Sequence, residues 1–199
     1  MTEIHQRAVG AAWAFGHGRL LTEHLLFVVL SGDSASAEAL RASGITAEQF
    51  AREIEGLSER YTGEVGVPGK PRPVAYEMPA GRVLARAEGL AGGFGSSAVA
   101  DDHVLLALLW EPVPSVAEEL LERRGITRER ILEHLELQGV RLPSLPPPKR
   151  FSWGPWTPVA PDEALAVGKE LRRAGMLYRI ARRGDETLIS SAPLDPAAG

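Results

Sequence analysis

Two stretches of this chain are apolar almost all the way round, Leu25-Leu26-Phe27-Val28-Val29-Leu30 and Val104-Leu105-Leu106-Ala107-Leu108-Leu109. A helix without a polar face is covered on every side, so each stretch predicts a helix at the centre of a helical body. Each follows a short polar run, Thr22-Glu23-His24 in the first case and Asp101-Asp102-His103 in the second. Threonine and aspartate are good N-caps, and Thr22 and Asp101 are expected to open the two helices.

The flanks repeat as well. Residues 3–15 have helix-favouring composition and run into Gly16-His17-Gly18. Ser34 and Ser115 stand where a further helix should begin, and Ser115 with Glu118 has the spacing of a capping box. Those helices should end at Gly44 and Gly125, because glycine takes the left-handed conformation that closes a helix at no steric cost. Thr46 with Gln49 predicts a capping box for a fourth helix reaching Leu57, matched by Thr127 to Leu137. The same unit of four short helices therefore occurs twice, about eighty residues apart, which makes this a repeat architecture.

The connections are of a different composition. Repeat one (1–60) and repeat two (80–140) are separated by a linker, 61–79, holding Gly63, Gly66, Pro68, Gly69, Pro71 and Pro73. Such loop chemistry leaves little scope for regular structure. A Pro/Trp-rich linker, 141–160, contains Pro146-Pro147-Pro148, Phe151, Trp153 and Trp156 and predicts extended backbone. In 161–199, residues 162–174 are helical in composition, and Met176 to Ser190 alternate around Gly184-Asp185 as a β-hairpin does. The expected fold class is all-α, with a small C-terminal extension of one helix and a hairpin.

Cysteine is absent from the 199 residues, which excludes disulfides, thiolate zinc sites, iron–sulfur clusters and cysteine nucleophiles. No apolar run is long enough to span a bilayer, and the N-terminus lacks a signal peptide's basic and hydrophobic regions, so a cytoplasmic protein without membrane contact is expected. Residues 1–140 carry 13 basic against 20 acidic side chains, and residues 141–199 carry 9 against 6. An acidic body argues against nucleic acid, whose phosphates demand cations, and suits a cationic peptide or protein ligand.

The Thr-Glu-His-Leu-Leu run at 22–26, its counterpart at 101–105 and the Gly-Ile-Thr that follows each at 44–46 and 125–127 resemble the N-terminal domain of ClpA and ClpC unfoldases, the Clp repeat domain. The resemblance covers most of the stretch between His5 and Gln138 and implies a pseudo-twofold bundle of two four-helix Clp repeats. In the unfoldases two ATPase modules follow. Here the nearest approach to a phosphate loop, Glu64-Val65-Gly66-Val67-Pro68-Gly69-Lys70-Pro71, lacks the leading glycine and has proline where serine or threonine would hold magnesium. A free-standing, non-enzymatic Clp repeat protein without cofactor is the expectation. Its implied partners are a Clp unfoldase, its adaptors or substrate peptides. The high share of arginine among the basic residues fits a GC-rich genome such as an actinobacterium's.

The family also implies sites. Some ClpC members dock phosphorylated arginine, with the glutamate of the Thr-Glu-His motif taking the guanidinium near helix N-termini that suit a phosphate. Thr22 and Glu23 match that site in the first repeat, and Asp101 with the shorter Asp102 in the second. Tyr76 approximately matches an aromatic of the groove that cyclic peptide antibiotics occupy, so sequestration of such peptides is the alternative function. The residues themselves also allow a structural reading: carboxylates in a helix's first turn are favoured by its dipole. His24 and His103 read as buried, hydrogen-bonded residues, since His5, His17 and His134 supply no metal-ligand spacing. No metal site and no catalytic grouping can be assembled. Trp153 and Trp156 either anchor a partner or pack the tail.

Overall fold

The computed structural model describes residues 2–61, 75–76, 78–111, 115–144, 154–183 and 186–193. The first repeat consists of α1 (Glu3–Ala14), α2 (Thr22–Leu30), α3 (Ala35–Ala42) and α4 (Ala47–Tyr61), with the short strand β1 (Arg19–Leu20) before α2. Strand β2 (Ala75–Tyr76) leads into the second repeat, which is α5 (Met78–Gly93), α6 (Asp101–Leu109), α7 (Val116–Glu122) and α8 (Arg128–Leu137). A second unit holds β3 (Thr157–Val159), α9 (Ala164–Arg173), β4 (Met176–Arg183) and β5 (Glu186–Pro193). The chain divides into two compact units, Met1–Pro147 and Pro148–Gly199.

The two apolar stretches form the predicted central helices. α2 and α6 pack on each other, and Leu25, Leu26, Val29, Leu105, Leu106 and Leu108 belong to one core shared by both repeats. The partners of each are arranged alike: α1 lies on α2 as α5 lies on α6, and α2 meets α7 as α6 meets α3. Buried apolar side chains contribute roughly 1.5–3 kcal/mol each, and here they are supplied jointly by the duplicated unit.

The caps explain where the helices begin and end. Ser34 Oγ accepts the Ala37 N–H at 3.2 Å, and Ser115 Oγ accepts that of Glu118 at 3.3 Å while Glu118 returns a bond to the Ser115 N–H at 3.0 Å. Thr46 and Gln49 form the expected reciprocal box. Gly44 (φ 104°) closes α3, its N–H bonding to Arg41 O while Ile45 N–H reaches back to Leu40 O.

Four expectations need correction. Thr22 and Asp101 are the first helical residues rather than the N-caps, which are Leu21 and Ala100. Neither cap residue has a side-chain acceptor for the N–H three positions on, which bonds to the cap's carbonyl oxygen instead, and the histidine there supplies the other half of a capping box by accepting the cap residue's own N–H. α4 runs on to Tyr61, beyond Leu57, and α5 already begins at Met78, so helix occupies both ends of the segment read as a linker. Within that segment Ala75–Tyr76 forms β2, paired in parallel with Arg19–Leu20; its Gly/Pro-rich residues 62–74 lie outside the described residues. In the Pro/Trp-rich stretch, Thr157–Val159 is extended as expected but joins a sheet.

That sheet has the order β3-β5-β4, antiparallel throughout, with Ile180 opposite Ile189 in the hairpin. α9 approaches β4 closely because Gly168 has no side chain: a Cβ there would run into the Tyr178 ring. The Arg172 guanidinium lies over that ring, 5.7 Å from its centroid, within the roughly 6 Å reach of a cation–π contact. Among the described residues no helix is long and apolar enough to cross a membrane.

Candidate functional site

The two polar runs fall at the N-termini of α2 and α6, beside the junction between the repeats. His24 Nδ1 accepts the Leu21 N–H at 3.0 Å, and His103 Nδ1 accepts the Ala100 N–H at 2.9 Å. Each imidazole thereby satisfies the backbone N–H of its N-cap residue, as a glutamate or glutamine three places on does in a capping box, which gives the recurrence of histidine a structural cause. With Nδ1 accepting, the His24 proton resides on Nε2 and is donated to His17 Nδ1 at 2.7 Å. His24 is completely buried, and that burial, with the His17 ring adding to it, depresses its pKa to about 3. Phe15 stacks against His24 as Phe94 lies beside His103.

The carboxylates are less alike. Glu23 is 1% exposed, and Thr22 donates its hydroxyl to Glu23 Oε2 at 3.2 Å. Asp102 is half-buried, and its Oδ1 accepts the Ser36 N–H at 3.1 Å, so an acid of the second repeat caps α3 of the first. Asp101 lies 3.0 Å from the Arg7 guanidinium, which also donates to Val28 O at 3.0 Å. Burial raises the Asp101 pKa, and the Arg7 charge opposes that rise. A buried carboxylate with one charged partner is held chiefly by that partner.

Thr22, Glu23, Asp101 and Asp102 thus lie in the first turns of two packed helices. Tyr76 enters through the backbone of β2, opposite Leu20, and its side chain lies outside the described residues. Trp153 also lies outside them, whereas Trp156 is 39% exposed just before β3 in the second unit.

Sequence reasoning missed Arg7, His17 and a second polar cluster, Arg82, Arg86 and Glu111. A signal existed: Arg7-Ala8-Val9-Gly10 before Phe15-Gly16 has the same spacing as Arg86-Ala87-Glu88-Gly89 before Phe94-Gly95. Extending the repeat upstream in this way marks both arginines as equivalent positions.

A model of the family described as the Clp repeat (R) N-terminal domain matches residues 1–123. Over 122 residues the chain is 30% identical to Chaperone protein ClpB 1 of Parasynechococcus marenigrum (strain WH8102), a stretch that is 61% of this chain and 14% of that protein. The chain therefore spans only a small part of that relative's length. The crystal structure of the Hsp104 N-terminal domain from Candida albicans is similar with a TM-score of 0.52 at 20% identity, covering 71% of this chain and 93% of that one. The N-terminal domain of the caseinolytic protease associated chaperone ClpD from Arabidopsis thaliana is similar with a TM-score of 0.50 at 21% identity, covering 69% of this chain and 96% of that one. At these identities the structural likeness is one of fold.

Proposed function

The chain belongs to the Clp repeat (R) N-terminal domain family, which serves Clp chaperones as a substrate- and adaptor-binding module without catalysis of its own, and from that premise we propose that this chain is a holding module of Clp-linked proteolysis. It holds a peptide, an adaptor or an arginine-phosphorylated segment, acting as an adaptor or as a decoy that keeps such ligands from an unfoldase. The observation that carries this reading is the family match over residues 1–123 together with two complete four-helix repeats on one core.

Phosphoarginine is the finer reading. Its guanidinium would pair with Glu23 and its phosphate with N–H groups of neighbouring helix N-termini. Thr22 already orients the Glu23 carboxylate, whereas Asp102 is engaged by the Ser36 N–H, which favours the first repeat over the second. Because Glu23 is 1% exposed, docking requires its present cover to move aside. Isothermal titration of the full chain with phosphoarginine, wild type against Glu23→Ala, tests this. Heat that disappears in the variant supports docking at Glu23; equal heats, or none in the wild type, end it.

A further inference from the structure

On α5, Arg82, Ala85, Arg86, Gly89 and Leu90 line an open groove of about 540 Å³ whose remaining wall is Glu111. Glu111 is 4% exposed and receives two arginines at once. Arg82 Nε stands 3.2 Å from Oε2, and Arg86 Nε donates to Oε1 at 3.1 Å. One buried carboxylate thus holds two guanidinium groups side by side, in fixed orientation, on the edge of a depression.

The charge count is uneven. Among the described residues two cations share one anion, so the cluster carries a surplus positive charge, on a body where acidic side chains outnumber basic ones by 20 to 13. Both arginine side chains stay accessible, at 49% and 41% exposure. A guanidinium has five N–H donors, and an Nε contact to Glu111 leaves its terminal amino groups for another oxyanion. Such an Arg pair is a strong site for a carboxylate, because fork geometry and charge act together.

The first repeat shows that this is not required by the fold. Counting from the shared Phe-Gly turn in both directions, Glu3 stands where Arg82 does, Arg7 where Arg86 does, and Gly32 where Glu111 does. There one arginine, Arg7, meets one acid, Asp101, and an acid rather than a second arginine stands in Arg82's place. The surplus is therefore a property of the second repeat alone.

We propose that the α5 groove binds the free C-terminal carboxylate of a peptide, the Arg82–Glu111–Arg86 cluster gripping the carboxylate while Ala85, Gly89 and Leu90 receive an apolar terminal side chain. A monocarboxylate matches the single surplus charge, and the apolar wall beside it favours a terminal residue such as leucine over a bare inorganic anion. The inference stands apart from docking at Glu23, since it uses none of the same residues.

The test is fluorescence anisotropy on the full chain with a labelled hexapeptide ending in leucine carboxylate, against the same peptide as its C-terminal amide. The acid should bind about tenfold or more tightly than the amide, in line with a charge-assisted pair. Arg82→Glu, which installs the first repeat's residue at a half-exposed position, should abolish that preference, and Arg86→Gln should weaken it with the helical signal retained. N-acetyl-leucine should displace the probe and inorganic phosphate should not. Equal binding of acid and amide, unchanged binding by Arg82→Glu, or displacement by phosphate in preference to N-acetyl-leucine would each overturn the proposal. None of these outcomes depends on the phosphoarginine titration, so the two readings fail separately.

Discussion

In the first repeat Arg7 reaches across the junction to Asp101 of the second; in the second repeat Arg86, at the matching place on α5, turns instead to Glu111 of its own half. The acid has moved while the arginine has stayed. Gly32, the counterpart of Glu111, leaves the room that the Asp101 carboxylate fills, for a Cβ on Gly32 would meet Asp101 Oδ2. Thr22, the counterpart of Asp101, carries no charge. What the pair of repeats holds in common is the apolar core, the helix ends and one arginine. The position of the countercharge is free to differ, since Asp101 and Glu111 each meet an arginine in their own arrangement.

The strongest way to break this comparison is through the part said to be common. Leu26 and Leu105 occupy equivalent places on α2 and α6, each 1% exposed in the shared core. Leu26→Ala and Leu105→Ala should each cost about 2–5 kcal/mol, the range for a buried leucine whose cavity partly persists. Urea titration followed by helical circular dichroism should show the repeats unfolding in one transition in both variants. If Leu26→Ala left the second repeat folded while the first melted, the repeats would have separate cores and the comparison would fail.

Acid should act mainly on the first repeat. His24 has a folded pKa of about 3 against an ordinary value of 6.5, and burial also lowers that of its partner His17. The unfolded chain therefore takes up protons that the folded chain refuses. The His24 contribution is at its full value well above pH 6.5 and is lost as the pH drops toward 3, by up to about 1.4 kcal/mol per pH unit, and His17 acts in the same direction. Asp101, whose pKa burial raises, works in the opposite sense and gains stability on acidification. His24→Gln keeps an acceptor for the Leu21 N–H but cannot become charged. Denaturation at pH 6.5 and pH 5 should show a wild-type loss of about 2 kcal/mol that the variant largely lacks; an equal loss in both would remove His24 as the cause.

The cross-junction pair comes next in size. Asp101→Thr gives the second repeat the residue that the first has at Thr22, and among the described residues leaves Arg7 the Val28 carbonyl. The expected cost is about 1.5–3 kcal/mol, the range for a hydrogen bond to a charged group. It should shrink in high salt, because Arg7 is 38% exposed. A salt-independent cost would point to lost packing rather than to the lost charge.

Most helices of the two repeats were legible because they leave local marks: an all-round apolar run for α2 and α6, a serine or threonine at the start of α3, α4, α7 and α8, and glycine beyond the end of α3 and α7, whereas α5 follows only from the repetition of the unit. The histidine caps were not, since a side chain bonding three residues back looks in sequence like any buried polar residue. β2 and β3 were hidden for another reason. A two- or three-residue strand has no period of its own, and it exists through pairing with Arg19–Leu20 or with Thr187–Ile189. The acids of the junction were visible as residues, but their assignments were not. Whether Asp102 faces a ligand or the Ser36 N–H depends on how the second repeat sits on the first, and no spacing within either repeat encodes that.

That last assignment yields the smallest and finest test. At the start of α7 the repeat supplies both halves of its own box, Ser115 and Glu118. At the start of α3 the third helical residue is Ala37, which has nothing to return, and the second acceptor comes from Asp102 across the junction. Ser34→Ala and Ser115→Ala should each cost about 1 kcal/mol, as N-cap losses do. Asp102→Ala should cost a similar amount although it lies in a different repeat, while Asp102→Asn, which keeps an oxygen for the Ser36 N–H, should recover most of it. Since Ser34 and Asp102 serve adjacent N–H groups of one helix end, the departure of the double variant Ser34→Ala with Asp102→Ala from the sum of the two singles measures how far the two acceptors are coupled. A double-variant loss well below that sum would mean that the two acceptors act as one, and that capping across the junction is no separate link between the repeats.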